Sequence, residues 1–221
     1  MHAWRIEERE IKRQEARRGR RHAYVSLAPG RTALIVVDMV PFFVAENEYT
    51  YGIVPNISRL ADTLRARGGT VAWILPGVSE PTPAAEEFFG AEQARVFAQS
   101  GGEGSPRERL WHEFDVHDED LIVEKTATSA FFPGFSPLPG LLRERDIDTV
   151  VITGTVTNVC SEASAARDAG TLGYRVIFVA DGNSARRDED HNSTLYTIYR
   201  TYGEVRTTDD VIKLIDAGTR L

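Results

Sequence analysis

Three side chains of this chain have types that could together make a nucleophilic centre: its single cysteine, Cys160, the carboxylate Asp38 and the ammonium Lys125. A free thiol, with a pKa of about 8.5, is only slightly ionised at neutral pH, so a nucleophilic cysteine needs a base or a positive field. Asp38 can accept the thiol proton, while Lys125 can hold Asp38 and favour negative charge. A helix beginning at Cys160 would add unpaired backbone N–H groups and the positive end of its dipole, both favouring thiolate. Each residue also has an ordinary reading. A lone cysteine is commonly a small buried hydrophobe, an aspartate after a strand caps a helix, and a lysine there is solvated. The chemistry therefore depends on the three meeting.

The elements around them predict that they do. From residue 32 onward apolar runs alternate with helical stretches, the pattern of a parallel sheet with helices on both faces. We read a three-layer α/β/α architecture, with a doubly wound, mostly parallel sheet of six strands. Thr32 to Val37 (TALIVV) suits a strand buried on both faces and ends at Asp38. Val54 to Arg67 has apolar residues at helical spacing, and Thr70 to Leu75 is the next strand. Leu121 to Glu124 delivers Lys125, and Thr149 to Thr153 leads through a tight connection, Gly154 to Val159, to a helix opened by Cys160. Further elements are a helix at Leu138 to Arg145, a strand at Arg175 to Ala180, a helix at Glu189 to Tyr202 and a strand at Glu204 to Thr207. A last helix starts from Thr208, whose hydroxyl is expected to cap it. Residues 76 to 120, broken by Pro81, Pro83 and Gly101 to Gly104, hold a short helix near Ala84 to Gln99 and read as a lid or an interface. Ligands of open parallel sheets bind beyond the carboxyl ends of the strands, which is where Asp38, Lys125 and Cys160 fall.

The segments TALIVVDMVPFF, VEKTATSAFF and VVITGTVTNVCSEASAARDA resemble, in order and spacing, the three catalytic blocks of the isochorismatase-like cysteine hydrolases, and the likeness runs from about Thr32 to Ile215. It is nearest to the amidohydrolase branch that contains N-carbamoylsarcosine amidase and ureidoacrylate amidohydrolase. The resemblance implies Asp38 as general base, Lys125 as its partner and Cys160 as nucleophile in cleavage of a C–N bond of a small amide or N-carbamoyl compound, through a thioester. It also implies a cis peptide at Thr155-Val156, an oxyanion hole from the Val156 and Cys160 backbone N–H groups, and a homodimer or homotetramer.

Metal-dependent nicotinamidases of the same superfamily carry a DxH motif and a further histidine after the second strand. This chain has Pro76 and Gly77 there, and His2, His22, His112, His117 and His191 are not spaced as zinc ligands. No metal or other cofactor is expected. Phe42, Phe43, Phe131 and Phe132 follow the first and third strands and could wall a pocket or simply pack the core. Arg186, beside Arg187, lies after the fifth strand and could hold a substrate carboxylate, or pair with Asp188, Glu189 or Asp190. Thr126, Asn158 and His191 are further candidates for substrate binding.

The composition narrows the classes. With 221 residues, 42% of them hydrophobic, the chain suits a single domain over residues 31–221 preceded by a basic N-terminal arm, residues 1–30. The formal charge of −7 argues against a nucleic-acid surface. Residues 1 to 22 carry eight basic and four acidic side chains, a local +4 that leaves −11 on the rest. Such an arm could dock on a neighbouring subunit or stay solvated. No run of about 18 apolar residues suggests a membrane span, and the charged start and single cysteine suit a cytoplasmic protein. Two alternatives differ in class: a vinyl-ether hydrolase, for which the thiol is dispensable, and a small-molecule-binding protein that keeps the scaffold without turnover.

Overall fold

The computed structural model of the chain describes residues 1–45 and 47–218. Among the described residues six segments form strands: β1 (Thr32–Val37), β2 (Thr70–Pro76), β3 (Leu121–Lys125), β4 (Thr149–Thr155), β5 (Arg175–Ser184) and β6 (Glu204–Arg206). The helices are α1 (Glu8–Arg18), α2 (Pro41–Val44), α3 (Glu48–Gly52), α4 (Val54–Ala66), α5 (Pro83–Phe89), α6 (Ala91–Ala98), α7 (Leu138–Glu144), α8 (Asp188–Thr201) and α9 (Thr208–Ala217). Between β4 and β5 the chain winds more widely, as two π-helical segments, Thr157–Ser161 and Ala163–Ala169.

Every strand pairing is parallel, and the order is β3-β2-β1-β4-β5-β6. The sheet is thus an α/β sheet wound in opposite directions from its centre, with the switch between β1 and β4. Alternation along β1 explains the two layers of helix. Leu34 and Val36 enter the core formed with α4 and α9, while Ala33, Ile35 and Val37 enter the one formed with α7 and α8. On α4 the buried stripe is Val54, Ile57, Leu60, Ala61 and Leu64, the spacing of one helical face.

Four local features differ from the sequence-based expectations. The helix expected over 84–99 is two, α5 and α6, because Gly90 takes a φ of +82° that ends the first. Thr207, rather than Thr208, caps α9 by accepting a hydrogen bond from the Asp210 N–H at 3.2 Å; the Thr208 hydroxyl instead donates to Asp181 at 2.9 Å. β5 runs past Ala180 to Ser184, with a register shift against β4. The Asn183 side-chain amide bridges that irregularity, donating to the Ile152 and Val179 carbonyls at 2.8 Å each.

The fourth is the basic arm, read from the sequence as solvated or docked on a neighbouring subunit: its apolar side chains pack on its own chain. Trp4, Ile6 and Ile11 pack on the core beneath α8, and Gln14 donates to the Arg200 carbonyl at 3.3 Å. His22 meets the buried Glu204 at 2.5 Å. The apolar positions of the arm, together with these polar contacts, offset the cost of ordering it.

Candidate active site

Asp38, Lys125 and Cys160 converge at the carboxyl edge of the sheet. Asp38 is the first residue beyond β1, its N–H donating to the Ile74 carbonyl at 2.8 Å, and it adopts a φ of +54°. A non-glycine residue in this region is uncommon and is held by its surroundings. Next to it Gly154 has a φ of +114°, and a Cβ there would stand 2.1 Å from the Val37 carbonyl oxygen, so only glycine lets β4 lie this close to β1. Lys125 ends β3 and reaches under β2 to Asp38, with Nζ–Oδ2 2.9 Å; both side chains are almost wholly buried. The ammonium also donates to the Ala127 carbonyl at 3.3 Å. Neither Asp38 oxygen accepts a well-aligned hydrogen bond among the described residues, so its contact with Lys125 is an ion pair.

Cys160 does not open its helix, as the sequence suggested. β4 persists to Thr155, the Thr155-Val156 peptide is cis, and the helical turn starts at Thr157, which places Cys160 fourth in it. The thiol lies beside the Asp38–Lys125 pair with the Val156 N–H directed at it. Burial and then the Asp38 charge push the thiol up to about 12, outweighing Lys125 and the Val156 N–H. Desolvation and the neighbouring carboxylate thus oppose the thiolate more than Lys125 and the Val156 N–H favour it. Burial likewise raises the Asp38 carboxyl above the ordinary range, although Lys125 and the thiol pull it down. Lys125 pays for its own burial but is held above its usual value by Asp38 and Cys160.

A cavity of about 690 Å³ lies over this edge, lined by Pro41, Phe42, Phe43, Ala45, Asn47, Glu48, Tyr49, Thr155, Val156 and Arg186. Thr155 and Val156, which lead to Cys160, line it, whereas Asp38, Lys125 and Cys160 are not among its lining residues. Phe42 and Phe43 stand on α2 as an edge-to-face pair 4.8 Å apart. Arg187 makes two hydrogen bonds to Asp190, at 2.9 and 2.8 Å, which leaves Arg186 to face the cavity without an ion-pair partner among the described residues.

Five candidate pocket residues do not line it. Phe131 is fully buried in the α7–α8 core against Tyr174, where its ring fills space that a polar ligand could not. Thr126 is exposed on the loop after β3, its N–H committed to the Phe135 carbonyl at 3.0 Å. Phe132 borders a separate cavity beside Phe135 and Arg167. Asn158 is exposed, and His191 is buried, hydrogen-bonded to Thr157 at 2.9 Å. Tyr49, Asn47 and Glu48, which the sequence reading passed over, form a wall of the cavity; the sequence signal was Asn47, which caps α3 by accepting from the Tyr49 and Thr50 N–H groups. Among the described residues, no group of three or more His, Cys, Asp or Glu side chains is arranged to hold a metal ion.

A nucleophile type beside a carboxylate–ammonium pair, at the switch point of a doubly wound sheet, defines the class of the α/β cysteine hydrolases. The isochorismatase domain matches residues 32–210, and the chain belongs to that family. It is 33% identical over 189 residues to the isochorismatase family protein YwoC of Bacillus subtilis (strain 168), covering 84% of this chain and 94% of that one. To the ureidoacrylate amidohydrolase RutB of Agrobacterium fabrum it is 26% identical, over 86% of this chain and 92% of the relative. Among solved structures, a cysteine hydrolase from Pseudomonas syringae pv. phaseolicola 1448A superposes with a TM-score of 0.77 at 29% identity, covering 89% of this chain and 97% of that one. An N-carbamoylsarcosine amidase from Thermoplasma acidophilum does so with 0.67 at 26% identity, covering 81% and 97%.

Proposed function

We propose that this chain is a cysteine-dependent amidohydrolase that cleaves a C–N bond of a small amide or N-carbamoyl compound. The observation that carries the reading is the buried Asp38–Lys125 pair beside the Cys160 thiol, next to a cavity whose lining includes Val156. With the thiol at about 12, attack must be coupled to proton transfer. Sγ bonds to the carbonyl carbon as its proton passes to Asp38, whose raised basicity suits that task. Asp38 then protonates the leaving nitrogen, and the C–N bond breaks to give an amine or ammonia and a thioester. Water, giving its proton to the same carboxylate, hydrolyses the thioester and restores the thiol. The Val156 and Cys160 N–H groups are the proposed oxyanion donors; a donor of this kind contributes about 2.7 to 4 kcal/mol to the transition state. Lys125 keeps Asp38 ionised between steps. No cofactor enters this scheme.

Arg186 at the cavity rim supports a substrate with a carboxylate, and Phe42, Phe43 and Tyr49 support an apolar or planar body next to it. A homodimer or homotetramer would cover Phe88, Phe89 and Phe97, exposed on α5 and α6. Among the described residues no helix is long and apolar enough to cross a membrane, and the lone thiol suits a reducing cytoplasm. The test is ammonia release from a panel of amides, N-carbamoyl amino acids, ureidoacrylate and biuret. Release by the native protein that Cys160→Ala and Asp38→Asn both lose by roughly a thousandfold or more supports the reading. Undiminished turnover by Cys160→Ala would favour a hydrolase that does not use the thiol.

A further inference from the structure

The N-terminal arm places a histidine where no sequence motif would look for one. His2 is 7% exposed, and its ring is stacked between Tyr49, 3.9 Å away between centroids, and His191, 4.3 Å away. Its Nε2 accepts a hydrogen bond from the Ala185 backbone N–H at 2.9 Å. An accepting Nε2 carries no proton, so the proton is on Nδ1, which donates to the Asp188 carboxylate at 2.7 Å. The ring therefore ties both ends of the short segment that holds Arg186, and its face supports the Tyr49 wall of the same cavity.

The stack continues inward. The His191 Nε2 lies 3.0 Å from the Ala180 carbonyl, which can only accept, so that nitrogen bears the proton and Nδ1 accepts from the Thr157 hydroxyl at 2.9 Å. Thr157 directly follows Val156. The approach of the arm is fixed by its backbone as well: the Arg5 N–H donates to the Asn192 side chain at 2.7 Å, and Asn192 donates back to the Ala3 carbonyl at 3.2 Å.

We infer that His2 is a positioning residue of the substrate pocket, a latch by which the N-terminal arm fixes Tyr49 and the Ala185–Asp188 segment, and with it Arg186, over the candidate catalytic centre. This inference rests on the reading of that cavity as the substrate site. The latch touches no reacting atom, so its loss acts on how substrate is held and leaves the bond-breaking apparatus in place.

His2→Ala, His2→Gln and His2→Asn separate the contacts. Glutamine can place an acceptor near the position of Nε2, for Ala185; asparagine can place a donor near that of Nδ1, for Asp188. Steady-state kinetics on a carboxylate-bearing compound that the native protein turns over are combined with hydrogen exchange of segments 47–50 and 184–188. For His2→Ala the expected result is a KM raised roughly tenfold, the effect of one lost hydrogen bond, with kcat within about twofold and faster exchange in both segments. His2→Gln should recover most of the KM and the protection at Ala185. An unchanged KM, or equal losses of kcat and KM that no variant restores, would overturn the inference. If the native protein turns over nothing in the panel, the hydrolase reading fails, and the exchange at Ala185 alone decides whether the latch exists.

Discussion

The floor and the walls of the candidate site are built differently. Asp38, Lys125 and the backbone leading to Cys160 come from the ends of β1, β3 and β4, inside one hydrogen-bonded sheet, and their placement follows from strand register and from a glycine contact. The walls come from α2, α3 and the segment after β5, which are separate in sequence and joined by side chains: Asn47 capping α3, Arg187 paired with Asp190, His2 stacked on Tyr49. In the proposed enzyme the chemistry rests on backbone architecture and substrate recognition on tertiary contacts, so the two should fail in different ways.

The sharpest separation is expected at Gly154. In Gly154→Ala the new methyl group meets the Val37 backbone, one residue before Asp38, and β1 or β4 must move. Displacement of the proposed base by even about 1 Å costs around a hundredfold, so kcat should fall by that order with little change in KM, as steady-state assays would read. Equal activity in this variant would show that the β1–β4 contact does not set the floor. Next in size is Arg186→Ala, for which the KM of carboxylate-bearing compounds should rise roughly tenfold or more while uncharged amides are unaffected. A uniform loss across both compound types would place Arg186 in the fold rather than in recognition. Smallest on catalysis is Phe131→Ala. Its ring is wholly buried, so chemical denaturation should reveal a loss of about 3 to 5 kcal/mol with KM unchanged in the folded fraction. A KM effect without a loss of stability would return Phe131 to the pocket.

The same division explains what could be read from the sequence. TALIVV, TVAWIL and TVVIT announce buried parallel strands, and strand ends are where such folds gather chemistry, so Asp38, Lys125 and Cys160 were legible before any coordinates. The two Phe-Phe pairs look alike in sequence, yet Phe42 and Phe43 line the cavity while Phe131 is core and Phe132 borders another cleft. Only packing separates them. Arg186 and Arg187 are adjacent and chemically identical, and the choice between them is made by Asp190. The extension of β5 depends on the Asn183 amide substituting for ladder hydrogen bonds, and the fold-back of the arm depends on Trp4, Ile6 and His2 finding partners far along the chain. Neither has a periodic signature. Burial is equally invisible in sequence: a helix start offers a favourable dipole, but burial and the adjacent carboxylate push the thiol the other way.

The central claim is that Cys160 rests as a thiol and loses its proton to Asp38 only during attack. The direct measurement is the rate of Cys160 alkylation by iodoacetamide between about pH 6 and 10, in the native protein and in Asp38→Asn, beside turnover of the best panel compound. A thiol at about 12 predicts a rate that climbs with pH without levelling in that range. Because the Asp38 charge raises the thiol, Asp38→Asn should alkylate faster than native at the same pH while its turnover is lost. A native rate that levels with a midpoint near pH 7, and an Asp38→Asn variant that still turns over, would show a preformed thiolate that needs no base.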